Sequence, residues 1–385
     1  MFKNLLEIAK DTKTKSYSFI TKWKECQNFV NKVKGKKPLF ILVIGSTETA
    51  LIPGISAAGQ NIEQLKYTPA LDADFLVLKK EVGTSRDLSL HQKLPVSPDG
   101  IPSPVILSKA IIELLDLEVK VIDVGSFVKP FGKHISLNMG PGKCISTGNA
   151  LGPIKTNFLF QKGEKLALNL SEYPYVVVGE CVPGGTTTAL SVLCSLGINA
   201  FDFVSSSFPE GNNLWKNQTV KDALLANLDL FSQIKKSPLK AVEFFGDPMQ
   251  AFICGFLKGA LKTNLPVMLA GGSQMIAIYY LTKTILDCDP YETVVGTTSW
   301  ITNDKNAKTK KLAELCSAPV ISSNVDFKES KTEGLYAYEL GHIKEGVGAG
   351  GLMVAADLYK NISMEEIVKE IEKVYSQVIS QNNSQ

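Results

Sequence analysis

Short apolar runs dominate the chain from residue 39 onward, and each is followed by a turn rich in glycine, serine or threonine and then by a helical pattern. Runs of Val, Ile, Leu and Phe without polar alternation are typical of strands in a sheet that helices cover on both faces. These runs occupy residues 39–47, 119–126, 175–180, 241–247 and 266–273. The pattern therefore predicts an α/β fold, with a Rossmann-like, mostly parallel sheet flanked by helices.

Helical periodicity follows the later runs and also begins near the N-terminus. Helices are expected over residues 186–196, 248–262 and 274–286. Before the first apolar run, apolar residues at helical spacing alternate with lysines and predict an amphipathic helix that Gly35 and Pro38 stop. The apolar positions of this predicted helix are Phe19, Trp23, Cys26, Val30 and Val33.

The C-terminus also returns to a helical pattern. Ser363 followed by Glu366 is a capping box, and apolar residues then repeat on one helix face. We expect the two terminal segments to pack together as a smaller helical subdomain, which divides the chain into residues 1–37, 38–355 and 356–385. Residues 81–163 are rich in Gly, Pro and Ser and are predicted to form long loops around a few short elements.

Composition and charge narrow the class of protein. With 385 residues, of which 44% are hydrophobic and 21% charged, the chain has the composition of a folded globular protein. A formal net charge of only +3 gives no indication of a nucleic-acid partner. Ten lysines and three acids precede Pro38, and we favour a helix with a solvated lysine face over a helix that binds a membrane surface or nucleic acid.

Targeting signals and metal-binding motifs are not expected. No secretion signal opens the chain, and no apolar stretch reaches the ~20 residues of a membrane span, so we expect a cytoplasmic protein with no membrane partner. The seven cysteines are scattered without CxxC spacing, which indicates reduced thiols. Because His91, His134 and His342 lie far apart in sequence, no metal site is predicted.

The stretch GECVPGGTTTAL joins an apolar run to a predicted helix. Gly184 and Gly185 let a ligand approach the backbone closely, and the N–H groups of Thr186 and Thr187 would open the helix, where an anion is favoured. Glu180 would repel a phosphate and therefore suits a neutral or hydroxyl-bearing part of a ligand. A phosphate-binding turn and a plain tight turn are both compatible with this stretch.

Two further glycine clusters precede predicted helices. The stretch LAGGSQ places Gly271, Gly272 and Ser273 at the end of an apolar run. The stretch KEGVGAGG places Glu345 and Gly346 before an apolar helix. A crowded position there would desolvate the carboxylate of Glu345, raise its pKa and make it usable as a base. The alternative is a surface glutamate at the start of a helix.

Several single residues are weaker candidates. Gly246 ends a predicted strand and can line the same crevice, whereas Asp247, which precedes a proline, is expected to be a helix N-cap. His342 is expected to be structural. Tyr336 and Tyr338 are candidates to stack on an aromatic base, although a place in the core is the commoner role for such residues.

The run that ends in VIGSTETA raises a nicotinamide-dependent oxidoreductase as another class of function. Gly45 is followed by Ser46, Thr47 and Glu48, so the second glycine that lets a pyrophosphate approach is missing. The oxidoreductase is therefore disfavoured, and the Ser-Thr-Glu-Thr turn is expected to cap a helix.

Taken in order, GECVPGGTTTAL, LPVMLAGGSQ and KEGVGAGGLMVA resemble the nicotinate-nucleotide:dimethylbenzimidazole phosphoribosyltransferase family. With VIGSTETALIPGISAAG at residues 43–59, the chain is similar to an archaeal and cyanobacterial branch of that family, UPF0284-like. The resemblance to this branch covers nearly the whole chain from Leu39. The resemblance to the bacterial transferases covers the segment from Glu180 to Leu352.

The resemblance implies an activity and a set of roles. It implies transfer of the phosphoribosyl group of nicotinate mononucleotide to a benzimidazole-type or purine base, giving an α-ribotide for cobamide (vitamin B12) lower-ligand assembly. It further implies Glu345 as the catalytic base, no cofactor or metal, and a homodimer. The candidate substrate-binding residues are Glu180, Gly184, Gly185, Thr186, Thr187, Gly246, Gly271, Gly272, Ser273 and Gly346.

The chain departs from the family's pattern at three positions. Val182 stands where the family has a glycine, Gly185 where it has an asparagine, and Ala270 where it has an aspartate. These departures keep a second class of function open, a non-catalytic nucleotide- or base-binding homologue that has kept the fold without turnover.

Overall fold

The structure of the protein, a computed structural model, describes residues 16–78 and 94–382. The strands are β1 (Tyr17–Thr21), β2 (Leu39–Gly45), β3 (Val119–Gly125), β4 (Ile135–Ser136), β5 (Val176–Cys181), β6 (Val267–Ala270), β7 (Thr293–Thr298) and β8 (Val320–Ser323). The helices are α1 (Trp23–Val33), α2 (Ile62–Leu65), α3 (Thr68–Val77), α4 (Val105–Leu115), α5 (Gly152–Leu168), α6 (Gly185–Ser195), α7 (Asn213–Leu225), α8 (Phe231–Lys236), α9 (Lys240–Phe245), α10 (Pro248–Thr263), α11 (Ser273–Leu286), α12 (Ser299–Thr302), α13 (Thr309–Leu315), α14 (Glu333–Glu339), α15 (Ala349–Lys360) and α16 (Met364–Asn382). Within the described ranges, no helix is both long and apolar enough to span a bilayer.

In the described part of the chain, eight strands form one sheet in the order β1-β8-β7-β6-β5-β2-β3-β4. Every neighbouring pair is parallel except β1 and β8, which pair antiparallel. This arrangement confirms the predicted α/β fold with a mostly parallel sheet. The chain adds β3 and β4 on one side of β2 and β5 to β8 on the other. The switch point therefore lies between β2 and β5, and ligands of doubly wound sheets bind at the carboxyl ends of the strands there.

Apart from Glu180 in β5, the central strands β2 and β5 carry no charged or polar side chain, because helices cover both faces of the sheet. All seven residues of β2 and all six of β5 are buried. Along β2, Leu39, Ile41 and Val43 join one hydrophobic cluster, whereas Phe40 and Leu42 join a second cluster on the opposite face. Successive side chains of a strand point to opposite faces, so an unalternated apolar run supplies both clusters at once.

One predicted strand is wrong. Residues 241–245 lie in α9, not in a strand; Gly246 is the C-cap of that helix and Asp247 is the N-cap of α10. Within that run, Ala241, Val242, Phe244 and Phe245 are all buried against the helices around them. Periodicity cannot distinguish a short apolar strand from a short buried helix, so the tertiary contacts decide between them.

Four strands, β1, β4, β7 and β8, were not predicted. β7 reads TVVGTT and β8 reads VISS, so neither has the long apolar run of β2 or β5. β1 takes residues that the helical spacing assigned to the N-terminal helix, and that helix begins only at Trp23. The placement of Phe19 in a helix was therefore wrong. Its segment instead pairs with β8.

The prediction of long loops over residues 81–163 was wrong for much of the segment. This region contains α4 and α5 in addition to β3, which was predicted. Helix α5 packs closely on α10 because glycines lie at the contact. A Cβ added at Gly163 would lie 2.0 Å from the carbonyl oxygen of Phe252, and one at Gly255 would lie 1.9 Å from that of Phe160. Residues 79–93, with Glu81 and His91, lie outside the described residues.

The terminal segments contribute to the main sheet and its helical cover. The capping box of α16 is confirmed, because the Ser363 hydroxyl accepts from the Glu366 N–H at 3.3 Å and the Glu366 carboxylate accepts from the Ser363 N–H at 2.9 Å. Helix α16 packs mainly against α4. Residues 1–15 lie outside the described residues, and the division into three domains with a terminal subdomain stays a prediction.

Candidate active site

A cleft opens at the carboxyl ends of the central strands, beside the switch point of the sheet. The three glycine clusters singled out in the sequence meet there. The cleft contains about 920 Å³ of space, including its open mouth. The candidate residues that line it are Glu180, Gly184, Gly185, Thr186, Gly272, Ser273, Glu345 and Gly346.

Glu180 lies near the end of β5 and is 6% exposed. Its Oε1 accepts from the Gln274 Nε2 at 2.9 Å, and its Oε2 accepts from the Val182 N–H at 3.0 Å. Burial, followed by the negative charge of Asp247, raises the pKa of Glu180 to about 8. Near pH 7 this carboxyl is therefore largely neutral and can donate or accept a hydrogen bond.

The turn after β5 leaves space for the amide that holds Glu180. Gly184 has a left-handed φ of 76° and is the N-cap of α6. A Cβ added at Gly185 would lie 1.9 Å from the Oε1 of Gln274, so a residue with a side chain at this position would displace that amide. Glycine at position 185, where the family has an asparagine, therefore leaves room for the Gln274 side chain.

Glu345 lies in a loop with unusual backbone geometry. Left-handed φ angles occur at Ile343 (61°), Lys344 (65°), Gly346 (153°) and Val347 (53°). The Lys344 N–H donates to the carbonyl of His342 at 2.6 Å and the Glu345 N–H donates to that of Ile343 at 2.9 Å, so two consecutive three-residue turns precede the carboxylate. Such conformations persist for branched side chains only where surrounding contacts hold them, and they cluster at functional sites.

The carboxylate of Glu345 points into this loop and lines the cleft. Its Oε1 accepts from the N–H groups of Gly346 at 3.2 Å and Gly350 at 3.1 Å, and its Oε2 accepts from the Thr297 hydroxyl at 3.3 Å. Burial raises the pKa of Glu345 to about 7, although these hydrogen bonds favour the charged form. The carboxylate is thus poised to take up a proton near neutral pH, and it is not a surface glutamate at a helix start.

A buried ion pair holds the backbone of the Glu345 loop. The Lys344 Nζ lies 3.1 Å from the Oδ2 of Asp304, and both side chains are almost fully buried. Asp304 also accepts from the Ser205 hydroxyl at 2.7 Å. Lys216 donates to the Ser205 carbonyl at 2.7 Å, and its pKa is lowered to about 7 by burial and by the charge of Lys344. Lys216 and the Lys344–Asp304 pair therefore lie behind the serines at positions 205–207, which line the cleft.

Three candidate binding residues lie off the lining of the cleft. Thr187 is fully buried beneath the turn. Gly271 packs against α11, where an added Cβ would lie 2.8 Å from a side-chain atom. Gly246 follows α9, and the adjoining Asp247 is the predicted N-cap, confirmed by a capping box with Gln250.

The weaker aromatic and histidine candidates also lie away from the lining. Tyr338 is buried and its hydroxyl donates to the carbonyl of Pro102 at 2.9 Å, which places it in the core. Tyr336 is 41% exposed. The Nδ1 of His342 lies 3.4 Å from a carboxylate oxygen of Asp99, so its described contact is outside the cleft.

Sequence reasoning missed several residues of the site. Gln274 directly follows the predicted LAGGS turn, so its position was a usable signal. Asp72 on α3, 1% exposed, lines the cleft with no motif around it. The remaining lining residues that were missed come mainly from segments 55–58, 95–97, 103–104 and 205–207.

Comparisons with known sequences place the chain in a family. The chain matches the sequence profile of a family described as Phosphoribosyltransferase over residues 108–331. It is 38% identical over 359 residues to a UPF0284 protein of Microcystis aeruginosa, covering 90% of this chain and 95% of the relative. It is 39% identical over 356 residues to the UPF0284 protein glr4139 of Gloeobacter violaceus, covering 90% of each chain.

Two solved structures share the fold. The crystal structure of CobT from Thermus thermophilus is similar with a TM-score of 0.57 at 15% identity, covering 88% of this chain and 91% of that chain. A nicotinate-nucleotide-dimethylbenzimidazole phosphoribosyltransferase from the same organism gives 0.55 at 13% identity, covering 88% and 90%. The profile match spans more than half of the chain, and the relatives span nearly all of it. The chain therefore belongs to the phosphoribosyltransferase family of glycosyl-transferring enzymes, within its UPF0284 branch.

Proposed function

We propose that the protein transfers the phosphoribosyl group of nicotinate mononucleotide to a benzimidazole-type or purine base, forming an α-ribotide for the lower ligand of a cobamide. In this reaction the bond between the ribose anomeric carbon and the nicotinate nitrogen breaks, and a bond from that carbon to a nitrogen of the base forms. Nicotinate leaves, and the proton of the other ring nitrogen goes to Glu345. The products balance the substrates without a further reactant.

One observation supports this proposal most strongly: two carboxyl groups and the N-termini of two helices lie together in one cleft. Glu180 and Glu345 come from distant segments, and the Val347 N–H donates to the carbonyl of Glu180 at 3.0 Å, which ties their backbones together. The pKa of Glu345 is raised to about 7 by burial, which suits a base that works at neutral pH. A surface glutamate would have neither feature.

The phosphate of the donor is proposed to lie at the helix starts that face the cleft. Helix α6 begins at Gly185 and α11 at Ser273, and helix N-termini favour anions. Lys216 lies behind the adjoining serines, and its charged form would add positive potential on the same side. Anchoring the phosphate would fix the anomeric carbon close to the acceptor nitrogen, and orientation of this kind supplies several kcal/mol to catalysis.

Glu180 is proposed to bind the ribose. As a largely neutral carboxyl near pH 7, it can hydrogen-bond a sugar hydroxyl without repelling the nearby phosphate. Its unprotonated oxygen can also stabilise positive charge that develops on the sugar. The Gln274 amide fixes the orientation of this carboxyl.

The test is release of nicotinate from nicotinate mononucleotide in the presence of a base. We expect Glu345→Gln to lower the rate of release ~10²–10⁴-fold, because general base catalysis is worth about that much. Glu63→Gln, at an exposed pair with Lys66, is the control and should leave the rate unchanged. Saturable binding of the mononucleotide with no release by the wild-type protein would instead support the non-catalytic homologue.

A homodimer and a cytoplasmic location are part of the same proposal. Large apolar side chains are exposed on and after α7, as expected of a surface that another subunit covers. They are Leu214 (88% exposed), Trp215 (53%), Leu225 (65%) and Leu228 (60%). Sedimentation equilibrium of the wild-type protein and of Leu214→Lys tests the dimer, because a charge in the interface should shift the mass towards a monomer.

A further inference from the structure

Asp72 is a buried carboxyl at the inner wall of the cleft that the proposed reaction does not use. It lies on α3, is 1% exposed, and lines the cleft. Its Oδ2 accepts from the thiol of Cys181 at 3.2 Å. Among the described residues, its buried Oδ1 has no hydrogen-bond partner. Because an unpaired buried polar atom is unfavourable, native proteins rarely retain one unless a ligand or water completes it.

Two short links place Asp72 at the same end of the cleft as the two glutamates. Cys181, which donates to Asp72, directly follows Glu180 in β5. Burial raises the pKa of Asp72 to about 7, and the neighbouring Ser103 hydroxyl offsets part of that rise. The next residue, Pro104, packs on Gly346, where an added Cβ would lie 3.2 Å from the proline ring. The three carboxyl groups therefore surround one region of the cleft.

The surfaces around this region suit an aromatic ring with polar atoms on its edge. Apolar or small side chains form most of the wall. Among the described lining residues, the carboxyl groups are those of Asp72, Glu180 and Glu345, and none of the lining residues is a lysine or arginine. A planar base fits between apolar walls, and carboxyl oxygens accept hydrogen bonds from ring-edge donors.

We propose that Asp72 is a specificity-determining residue that selects an acceptor base with an N–H or O–H donor on the edge away from its reacting imidazole ring. This inference rests on the proposed function. In that reaction one imidazole nitrogen attacks the sugar and the other gives its proton to Glu345, so only the far edge remains for Asp72. An exocyclic amine or a hydroxyl there pairs with Oδ1, whereas methyl groups leave Oδ1 buried and unpaired.

The experiment compares three free bases on the full-length protein: adenine, 5-hydroxybenzimidazole and 5,6-dimethylbenzimidazole. Affinity is measured by calorimetry in the presence of nicotinate mononucleotide, and transfer is measured by nicotinate release. We expect the two donor-bearing bases to bind at least ~10-fold more tightly than the dimethyl base, because a site built to hydrogen-bond a donor rejects the analogue that lacks it. Equal affinities for all three bases would overturn the proposal.

Variants assign the preference to Asp72. Asp72→Leu should lower the ratio of affinities towards one, and Asp72→Asn, which keeps an acceptor oxygen at this position, should retain part of it. Asp74→Asn is the matched control, since Asp74 lies on the same helix, is buried, and accepts from the N–H groups of Phe131 and Gly132 outside the cleft. A wild-type ratio in a folded Asp72→Leu protein would overturn the proposal.

The outcomes separate this inference from the proposed function. If no base promotes nicotinate release but the affinity ratio holds and depends on Asp72, the proposed reaction fails and the binding inference stands. If transfer proceeds equally well with all three bases, the proposed reaction stands and the inference fails. Should Asp72→Leu not fold, the wild-type ratio and its reduction in Asp72→Asn decide the matter.

Discussion

The turn after β5 holds Glu180 on regular secondary structure, whereas the segment before α15 holds Glu345 on a run of left-handed backbone. Glu180 belongs to a central strand with parallel neighbours on both sides, and only Gly184 in the following turn has a positive φ. Around Glu345, the positive φ angles include those of the branched residues Ile343 and Val347. One carboxyl is fixed by the sheet, and the other depends on side-chain contacts with its loop.

The two carboxyl groups are therefore held in position by different kinds of contact. The strand needs no special contacts to keep its position, since its hydrogen bonds to both neighbours are shared with the whole sheet. The loop lacks this support, and we expect it to depend on the buried ion pair and on the amides around Glu345. We therefore expect substitutions in the loop's supports to change both stability and transfer.

The largest expected effect comes from breaking the ion pair under the loop. Lys344→Ala leaves the carboxylate of Asp304 buried, with the Ser205 hydroxyl as a remaining partner, and should lower the free energy of unfolding by about 3–5 kcal/mol. Urea denaturation measures this loss. The control Lys66→Ala removes an exposed pair with Glu63 and should cost less than about 1 kcal/mol. Equal losses in the two variants would show that the loop does not depend on its ion pair.

A smaller effect is expected from filling the space beside Glu345. A Cβ added at Gly350 would lie 2.5 Å from the Oε2 of Glu345 and 2.2 Å from the backbone of Thr297. Gly350→Ala should therefore displace the carboxylate and slow nicotinate release about 10²-fold, as misplacement of a catalytic group by ~1 Å does. Gly35→Ala is the comparison, since Gly35 has a φ of 75° and no atom within 4 Å of an added Cβ. A Gly350→Ala protein with the wild-type rate would contradict the proposed placement of the base.

The raised pKa of Glu180 should make the stability of the protein depend on pH in a way that a carboxyl with an ordinary pKa would not. The pKa of Glu180 rises from 4.5 to about 8 on folding, so the folded state binds more protons between these values and its stability falls as pH rises through them. Glu180→Gln should remove that slope, so the variant should gain roughly 1–3 kcal/mol of stability relative to the wild type between pH 5 and pH 8. Denaturant titrations of both proteins over this range provide the measurement. Parallel curves would contradict the raised pKa.

The smallest expected effect concerns Ile343, where a glycine variant should be more stable than an alanine variant, the reverse of the usual order in a helix. At Ile343, with its φ of 61°, the Gly variant should be about 0.5–1 kcal/mol more stable than the Ala variant, because glycine adopts this conformation without strain. On α6, Ala189→Gly should instead destabilise the protein by about 1 kcal/mol. Thermal unfolding of the three variants measures both differences. An Ile343→Ala protein as stable as Ile343→Gly would show that the loop is not strained.

Sequence patterns predicted the parts of the fold where local preference and tertiary context agree. The unalternated runs of β2, β3, β5 and β6 were predicted as strands, and the glycine clusters after β5 and β6 and before α15 do meet in one cleft. The same rule failed at residues 241–247, where an apolar run forms α9, and at β7, whose threonines and glycine weaken its apolar pattern. Which short run enters the sheet is decided by contacts distant in sequence.

The least predictable residues of the site depend on a single tertiary contact. Asp72 lies in the helix TPALDADFLV, where nothing marks it chemically, and it meets Cys181 across 109 positions of sequence. Gly185 and Ala270 read as departures from the family's pattern, yet each accommodates a close neighbour. The amide of Gln274 lies beside Gly185, and an added Cβ at Gly351 would lie 2.4 Å from that of Ala270. Only the packed structure shows these compensations.

The antiparallel strand β1 has a consequence for how the chain can be shortened. It covers the outer side of β8, whose Val320 and Ile321 are fully buried. The segment that contains β1 therefore acts as a cover for an edge that would otherwise be open to strands of other molecules. Removal of residues 1–37 would leave that edge bare, and the trimmed protein would be prone to aggregate even with its cleft untouched.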